Sequence, residues 1–269
     1  MFYRRQEESG IANPDLARQA DHMTLPRREF PLVKISPMPT TKSFPPFVSP
    51  DEWHDHGPLI WVGIELSGDD DCASGSVRDA LKAFNGSVAW GYANGDNGHR
   101  NFDVICAEVD DPGAHASALV GIPNPATGYV TDWLRVSSVT PIESPQAHLL
   151  TTVLAPSFAP GLVGVDWYDV KALLQAGHRG LLAVCGGPHQ DSIGRARQAI
   201  DQARDQLGSP PIAGVLGLLV SSSQQVHMSD VKSLFMELHD LVPNDEHRIG
   251  AAAIRDGGEP CCALLAIIS

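Results

Sequence analysis

The C-terminal third of the chain alternates apolar, strand-like runs with amphipathic, helix-like segments, and this order constrains the fold strongly. The strand-like run Arg179–Gly187 precedes Asp191–Leu207, whose apolar residues recur every three or four positions. A second apolar run, Ala213–Ser223, precedes Ser229–Val242, which repeats the helical spacing and begins with Ser229 as an expected N-cap. Strands alternating with helices indicate an α/β fold whose helices pack on a sheet.

Two further apolar runs end the sequence. His247–Asp256 and Cys261–Ser269 flank the turn-forming residues Asp256-Gly-Gly-Glu-Pro260, so we expect a terminal hairpin. Residues 146–269 are therefore predicted to be a two-layer α/β sandwich, in which two helices cover one side of a mixed sheet.

A glycine-flanked loop before this region carries two carboxylates. The segment Gly161–Lys171 has the sequence GLVGVDWYDVK. Asp166 is placed to cap a helix, because its side chain can accept a hydrogen bond from a backbone N–H. Asp169 then falls in the first turn, near the positive end of the helix dipole. We expect this helix to end at Gly177, a residue suited to the left-handed conformation. Helix initiation alone would explain both aspartates.

The loop and the elements after it together resemble the C-terminal domain of FtsZ, the bacterial tubulin-like cell-division GTPase. The family's loop is PGLINVDFADV, and residues Pro160–Val170 are PGLVGVDWYDV. The segments Gly180–Gly187 (GLLAVCGG) and Arg195–Ile200 (RARQAI) match the family too. The resemblance extends over about residues 149–269.

This resemblance implies a role for the loop at a subunit contact. In tubulin-like GTPases the loop inserts into the nucleotide face of the neighbouring subunit, where its carboxylates help to position the attacking water. Asp166 and Asp169 would accordingly be catalytic only on a neighbouring subunit's nucleotide. Gly164 replaces the family's asparagine, and Trp167 and Tyr168 replace smaller or single-aromatic positions. Exposed aromatic residues suit a protein interface, and Trp167 could equally be core.

Residues 58–145 lie where the family's GTP-binding domain would be, but this segment is much shorter than that domain. Leu59–Leu66 predicts a strand and Val77–Phe84 a short helix. Glycine N–H groups that approach phosphates are needed for a GTP site, and the family's run GGGTGTG is absent. The carboxylates of Asp69–Asp71 and Asp110–Asp111 would repel a triphosphate unless Mg²⁺ stood between. We expect a degenerate nucleotide-type α/β unit, or an unrelated one, with no cofactor.

The remaining segments complete a three-part division. Residues 1–57 are predicted to be a flexible arm, because prolines recur from Pro14 to Pro50 and interrupt regular structure. Residues 58–145 and 146–269 are the two folded parts. At their junction, Ala147–Leu154 predicts the end of a connecting helix that Pro156 keeps short.

Composition excludes several classes of function. The formal net charge of −13 argues against nucleic-acid binding, which depends on Lys and Arg. No apolar run approaches the roughly 20 residues of a membrane span. No apolar h-region follows residues 1–10, so they are not expected to be a secretory signal. Five cysteines, an odd number with four in strand-like runs, favour free thiols in the cytoplasm.

Three clusters could be taken for metal sites. His54-Asp55-His56 lacks a second cluster of matching spacing, and Asp69-Asp70-Asp71 is typical of an acidic surface turn. Adjacent strand residues face opposite sides, so Cys261 and Cys262 are expected in the core. No metal is predicted.

The sequence therefore predicts a cytoplasmic FtsZ-like protein without an autonomous GTP site or enzymatic activity of its own. It would bind itself or a tubulin-like partner through the Gly161–Lys171 loop. One alternative is a divergent GTPase of the FtsZ and tubulin family that uses GTP and Mg²⁺ and is active in self-assembly. Another is an unrelated α/β binding module.

Overall fold

The computed structural model describes residues 60–65, 71–84, 87–93, 99, 102–109, 117–187, 189–222, 225–242, 247–255 and 259–269. All of them belong to the unit Ser49–Ser269. The predictions for the arm at 1–57, for His54-Asp55-His56 and for Asp69-Asp70 fall outside the described residues.

Nine strands and five helices are formed by the described residues. In chain order they are β1 Ile60–Glu65, α1 Asp71–Lys82, β2 Val88–Tyr92, β3 Val104–Glu108, β4 Ser117–Gly121, β5 Trp133–Ser138, α2 Pro145–Phe158, α3 Trp167–Leu174, β6 Arg179–Gly186, α4 His189–Gln206, β7 Ile212–Ser221, α5 Met228–Leu241, β8 Arg248–Ile254 and β9 Cys261–Ile268.

The strands form one mixed sheet in the order β2-β1-β3-β4-β5-β6-β9-β7-β8. Strand β1 is parallel to β2 and β3, and β4 is antiparallel to β3 and β5. Strand β5 is parallel to β6, and β7 is parallel to β8. The predicted α/β class is confirmed.

Each face of the sheet carries its own apolar core. Helices α1, α2 and α3 cover one face, with Leu150 and Leu173 among their buried residues. Helices α4 and α5 cover the other face through Ile200, Leu234 and other buried residues. Burying each such side chain contributes about 1.5–3 kcal/mol relative to exposure. The predicted pair of helices on one side of a mixed sheet is therefore present.

The predicted terminal hairpin is wrong. Strand β9 does not pair with β8; it lies between β6 and β7 and is antiparallel to both. Strand β8 pairs instead with β7 in parallel orientation. The Arg255 N–H, just after β8, donates to the Ser221 carbonyl oxygen at the end of β7 at 2.8 Å.

Several helix boundaries also differ from expectation. Helix α1 begins at Asp71 rather than at the predicted Val77, and it ends at Lys82. Helix α2 continues to Phe158 with Pro156 inside it. Because Pro156 lies in the last turn, the proline removes only one hydrogen bond near the helix end. Helix α5 is capped by His227 rather than by Ser229, and the Asp230 carboxylate accepts from the His227 N–H at 2.9 Å.

Candidate functional site

The Pro160–Asp166 loop is anchored to the edge of the sheet. The Ile254 N–H donates to the Pro160 carbonyl oxygen at 2.7 Å, and the Leu162 N–H donates to the Ala252 carbonyl oxygen at 3.3 Å. Gly161 forms an isolated antiparallel bridge with Ala253. The loop thus pairs with the outer edge of β8 and covers part of an edge strand.

Gly161 permits this close approach. A Cβ added there would lie 2.2 Å from the Ala252 carbonyl oxygen. The next residues hold the loop on both faces of the sheet, because Val163 packs against the α4–α5 core and Val165 against the opposite core. The loop is therefore fixed by backbone pairing and by apolar contacts on two sides.

Asp166 caps α3, as the sequence predicts. Its φ and ψ of −67° and 134° are extended, and its Oδ1 accepts from the Tyr168 N–H at 2.9 Å. Asp169 lies in the first turn of the helix. Val170 and Leu173 are buried and hold the helix against the sheet.

The outer face of the loop and of α3 is open to solvent. Tyr168 is 74% exposed and Leu162 is 39% exposed. Asp166 and Asp169 are exposed as well, and no hydrogen bond from a described residue reaches the Asp169 carboxylate. At Gly164 an added Cβ would meet nothing within 4 Å. The exposed residues of this segment therefore include a leucine, a tyrosine and two carboxylates.

Trp167 points the other way. Its ring lies 5.7 Å from that of Phe158, between ring centroids, and packs against the core of the α1–α3 face. The Lys171 ammonium lies 5.7 Å from the Trp167 ring centroid. The indole Nε1 is buried and finds no hydrogen-bond partner among the described residues. Trp167 thus packs the start of α3 against the core of the α1–α3 face, while Tyr168 lies on the surface.

Gly177 does not terminate α3 in the predicted way. The helix ends at Leu174, and Gln175 caps it in a right-handed conformation. Gly177 is not among the glycines with positive φ. A Cβ at this position would lie 2.3 Å from the Ile268 carbonyl oxygen. Glycine is needed here because the chain passes close to the end of β9.

Sequence reasoning missed the connection between α3 and the first strands. Lys171 Nζ lies 3.7 Å from Asp103 Oδ1, and Asp103 Oδ2 accepts from the Trp61 N–H at 2.9 Å. Residues far apart in the chain meet here, so no local pattern could reveal the contact. The ion pair links the helix of the candidate loop to the starts of β1 and β3.

A polar groove adjoins this ion pair. It lies between α3 and the connection from β4 to β5, and its volume is about 560 Å³. Asp103 and Lys171 supply its charges, Asn124 and Thr127 add polar side chains, and Phe102 adds an aromatic ring.

A histidine–carboxylate pair lies at the end of β1. His99 Nε2 is 2.6 Å from Glu65 Oε1, and His99 Nδ1 accepts from the Val130 N–H at 3.2 Å. Because Nδ1 is the acceptor, the proton is on Nε2, which donates to Glu65. Both ring nitrogens are occupied, so this pair does not present a free general base. No group of three potential metal ligands occurs within the described ranges.

Four of the five cysteines lie in β3, β6 and β9. Cys185, Cys261 and Cys262 are free thiols. Cys262 packs in the α4–α5 core and Cys261 against the opposite core, as alternation along a strand requires. Burial raises the pKa of the Cys185, Cys261 and Cys262 thiols, which lowers their thiolate fraction at neutral pH.

In the part of the chain that the structure describes, every helix is too short or too polar to cross a membrane. No protein-family model matches the sequence. No curated protein matches it significantly.

Solved structures similar to this chain include the three that follow. A single-site mutant of FtsZ from M. jannaschii is 20% identical, with 46% of this chain and 37% of that chain covered and a TM-score of 0.35. The empty FtsZ dimer from M. jannaschii is 17% identical, with 46% and 36% covered and a TM-score of 0.37. CetZ2 from Haloferax volcanii, in a GTPγS-bound protofilament, is 14% identical, with 81% and 59% covered and a TM-score of 0.35.

This chain spans less than two thirds of the length of each of these proteins. Similarities of this size do not assign it to a family. The three structures are of FtsZ and CetZ proteins, and the resemblance of residues 149–269 to the C-terminal domain of FtsZ stays a prediction.

Proposed function

We propose that this chain is an FtsZ-like assembly protein that binds a second copy of itself, or a tubulin-like partner, through the Gly161–Lys171 loop. The observation that carries the proposal is the exposure of Tyr168, at 74%, on a loop fixed to the edge of β8. Tyrosine is enriched among the residues that dominate binding energy at interfaces. A loop already held in one conformation loses little freedom on binding, which favours affinity.

The charges beside Tyr168 indicate the kind of surface that the loop would meet. Asp166 and Asp169 are both exposed on this face. Carboxylates at an interface select a positive or metal-bearing partner surface and repel a negative one. Dimer and protofilament are the assemblies described for the similar structures, and a protofilament-type contact is the form that we propose here.

Charge-removing variants of the loop test this proposal. Asp166→Asn keeps the helix cap and removes the charge, whereas Asp169→Ala removes a carboxylate that no described residue binds. Both should weaken self-association, or pelleting with FtsZ filaments, at least about tenfold, which corresponds to about 1.4 kcal/mol. Folding should change by less than about 1 kcal/mol in urea unfolding.

Asp191→Ala is the matched control, because Asp191 is an exposed acidic residue in the first turn of α4. It should associate like the wild type. If Asp166→Asn and Asp169→Ala also associate like the wild type, the two carboxylates only start a helix and the proposal fails.

We also propose that the chain has no autonomous GTP site. The support comes from the sequence, which has Asp69–Asp71 after β1 and Asp110–Asp111 after β3, where glycine N–H donors would be needed. Calorimetric titration of the full chain with GTP and Mg²⁺ should show no saturable heat. Micromolar binding would favour the divergent GTPase instead.

The unbound carboxylate of Asp169 favours a second candidate function, catalysis on a neighbouring subunit's nucleotide. An exposed carboxylate can orient an attacking water once a partner brings its phosphates close. The chain would then accelerate GTP hydrolysis by FtsZ filaments, and Asp169→Ala would abolish the acceleration while retaining binding. An unchanged hydrolysis rate at saturating wild-type chain would exclude this role.

A further inference from the structure

The polar groove beside α3 combines two opposite charges in a partly enclosed space. Lys171 and Asp103 are 28% and 39% exposed in their side chains, and Lys171 Nζ and Asp103 Oδ1 are 3.7 Å apart. The groove's volume of about 560 Å³ falls within the roughly 300–1,000 Å³ of small-molecule sites. The space is therefore sufficient for a small organic ligand.

Both charged groups of the groove can form further hydrogen bonds. A separation of 3.7 Å exceeds hydrogen-bond distance, and the described residues provide no hydrogen bond to Lys171 Nζ or to Asp103 Oδ1. An ammonium carries three donors and each carboxylate oxygen can accept more than one bond. Partly desolvated charges gain most from a ligand that satisfies them.

The loop opposite α3 is held in shape before any ligand arrives. The Gly128 and Thr127 N–H groups donate to the Asn124 carbonyl oxygen at 2.7 and 3.2 Å, and the Ala126 N–H donates to Asn124 Oδ1 at 2.8 Å. Gly128 has a φ of +72°, which suits glycine. Asn124 is exposed and lines the groove. A preformed wall of this kind lowers the entropic cost of binding.

We propose that this groove binds a free α-amino acid, whose carboxylate meets Lys171 and whose ammonium meets Asp103. A simple anion would be repelled by Asp103, and a simple cation by Lys171. A ligand that carries a positive and a negative group close together complements both Asp103 and Lys171. An α-amino acid is such a ligand, because its ammonium and its carboxylate are attached to one carbon. Phe102 and Pro123 border the same space and offer apolar contact to a side chain. The proposal concerns ligand binding and does not require assembly, although Lys171 is also the last residue of the Gly161–Lys171 loop.

The first test titrates the full chain with each proteinogenic L-amino acid by isothermal calorimetry. At least one should bind saturably with a Kd below about 1 mM. The N-acetyl and the carboxamide derivatives of that amino acid, which each lack one charge, should bind at least tenfold more weakly. Absence of saturable binding by every amino acid, or equal binding of the blocked derivatives, would overturn the proposal.

The second test changes the groove. Asp103→Asn removes the charge but keeps an oxygen for the Trp61 N–H, and Lys171→Met keeps an alkyl chain over Trp167. Each variant should lose at least tenfold in affinity for the amino acid found in the first test. Lys232→Met, which changes an exposed lysine on α5, should bind like the wild type.

Circular dichroism and urea unfolding show which variants remain folded. Asp103→Asn alone decides the matter if Lys171→Met does not fold. Wild-type affinity in a folded Asp103→Asn variant, or an equal loss in Lys232→Met, would contradict the assignment of this groove.

Discussion

At Gly161 the chain lies so close to β8 that an added Cβ would be 2.2 Å from the Ala252 carbonyl oxygen, whereas at Gly164 nothing lies within 4 Å. Neither residue has a positive φ. The two glycines of one loop therefore differ only in the space around them. Gly161 is required where the loop is fixed to the sheet, and Gly164 lies where the loop meets solvent.

Gly161→Ala should destabilise the protein by about 1–3 kcal/mol, because the methyl group must displace the backbone of the loop or of β8. Gly164→Ala is its control. It should be neutral, or should stabilise the protein by about 0.4–1 kcal/mol by restricting the unfolded chain. Urea unfolding of the full chain measures both. Equal effects of the two substitutions would mean that the loop is not fixed to β8.

The cap at Asp166 makes a separate prediction. Asp166→Ala should lower the free energy of unfolding by about 1 kcal/mol, because the Tyr168 N–H loses its acceptor. Asp166→Asn keeps an acceptor and should be close to wild type in urea unfolding. A loss of the same size in both variants would show that the charge, and not the cap, stabilises the helix.

The cap could be predicted from the sequence because its partner is two residues away in the chain. The Lys171–Asp103 contact could not, since it depends on how α3 crosses the starts of β1 and β3. The role of Trp167 stayed open for the same reason: an aromatic residue at the start of a helix fits a core or an interface equally. Only the position of Phe158 decides it.

Among the elements, α4 and α5 were the most predictable. Their apolar residues recur at helical spacing, and the side chains so identified are buried, including Ile193, Ile200, Leu234 and Leu238. Arg197 on α4 adds ion pairs to Glu237 and Asp240 on α5. Phe235 and Leu207 are exceptions, at 41% and 39% exposed. The Arg248 guanidinium carbon lies 4.9 Å from the centroid of the Phe235 ring.

The strand partners were much less predictable. Strands β7 and β9 are buried on both faces, so their sequences are continuous apolar runs that do not distinguish one neighbour from another. The position of β9 between β6 and β7 depends on pairing between segments that are far apart in the chain. Strand β5 did carry a usable signal, because Trp133, Leu134, Arg135 and Val136 alternate between the two faces, but its context of prolines and glycines obscured it.

Shortening a buried side chain in the α4–α5 core should destabilise the protein. Leu234→Ala and Ile200→Ala should each cost about 2–5 kcal/mol, because both side chains are fully buried. Met236→Ala is the control on the same helix; Met236 is 60% exposed, and its loss should cost less than about 0.5 kcal/mol. Urea unfolding distinguishes these outcomes, and losses below about 1 kcal/mol at both buried sites would contradict the packing.

In the whole molecule, the sheet is continuous from β2 to β8. The core on the α1–α3 face contains residues of the early strands, such as Val62 and Leu134, together with late ones, such as Leu182 and Leu265. The α4–α5 core is drawn from residues after 138. The division into residues 1–57, 58–145 and 146–269 stays a prediction. The core on the α1–α3 face contains residues from both 58–145 and 146–269.

A fragment of residues 146–269 tests this arrangement. It should fold, because every buried residue of the α4–α5 core lies within it. Its urea midpoint should be lower than that of the full chain, because Val139 is lost from that core and part of the shared core becomes exposed. Circular dichroism with urea titration compares the two proteins. An equal midpoint would show that the shared core contributes no stability, and an unfolded fragment would contradict the proposed boundary.

The central claim is that the exposed face of the Gly161–Lys171 loop binds a second copy or a tubulin-like partner. The most direct measurement compares Tyr168→Ser with Tyr129→Ser, which changes an equally large tyrosine that is 50% exposed elsewhere on the surface. Sedimentation velocity of each protein alone, and pelleting with FtsZ filaments, measure association. The wild type and Tyr129→Ser should associate alike, and Tyr168→Ser should lose at least about 2 kcal/mol, roughly thirtyfold in affinity. Equal association of all three proteins, or none by the wild type, would contradict the claim.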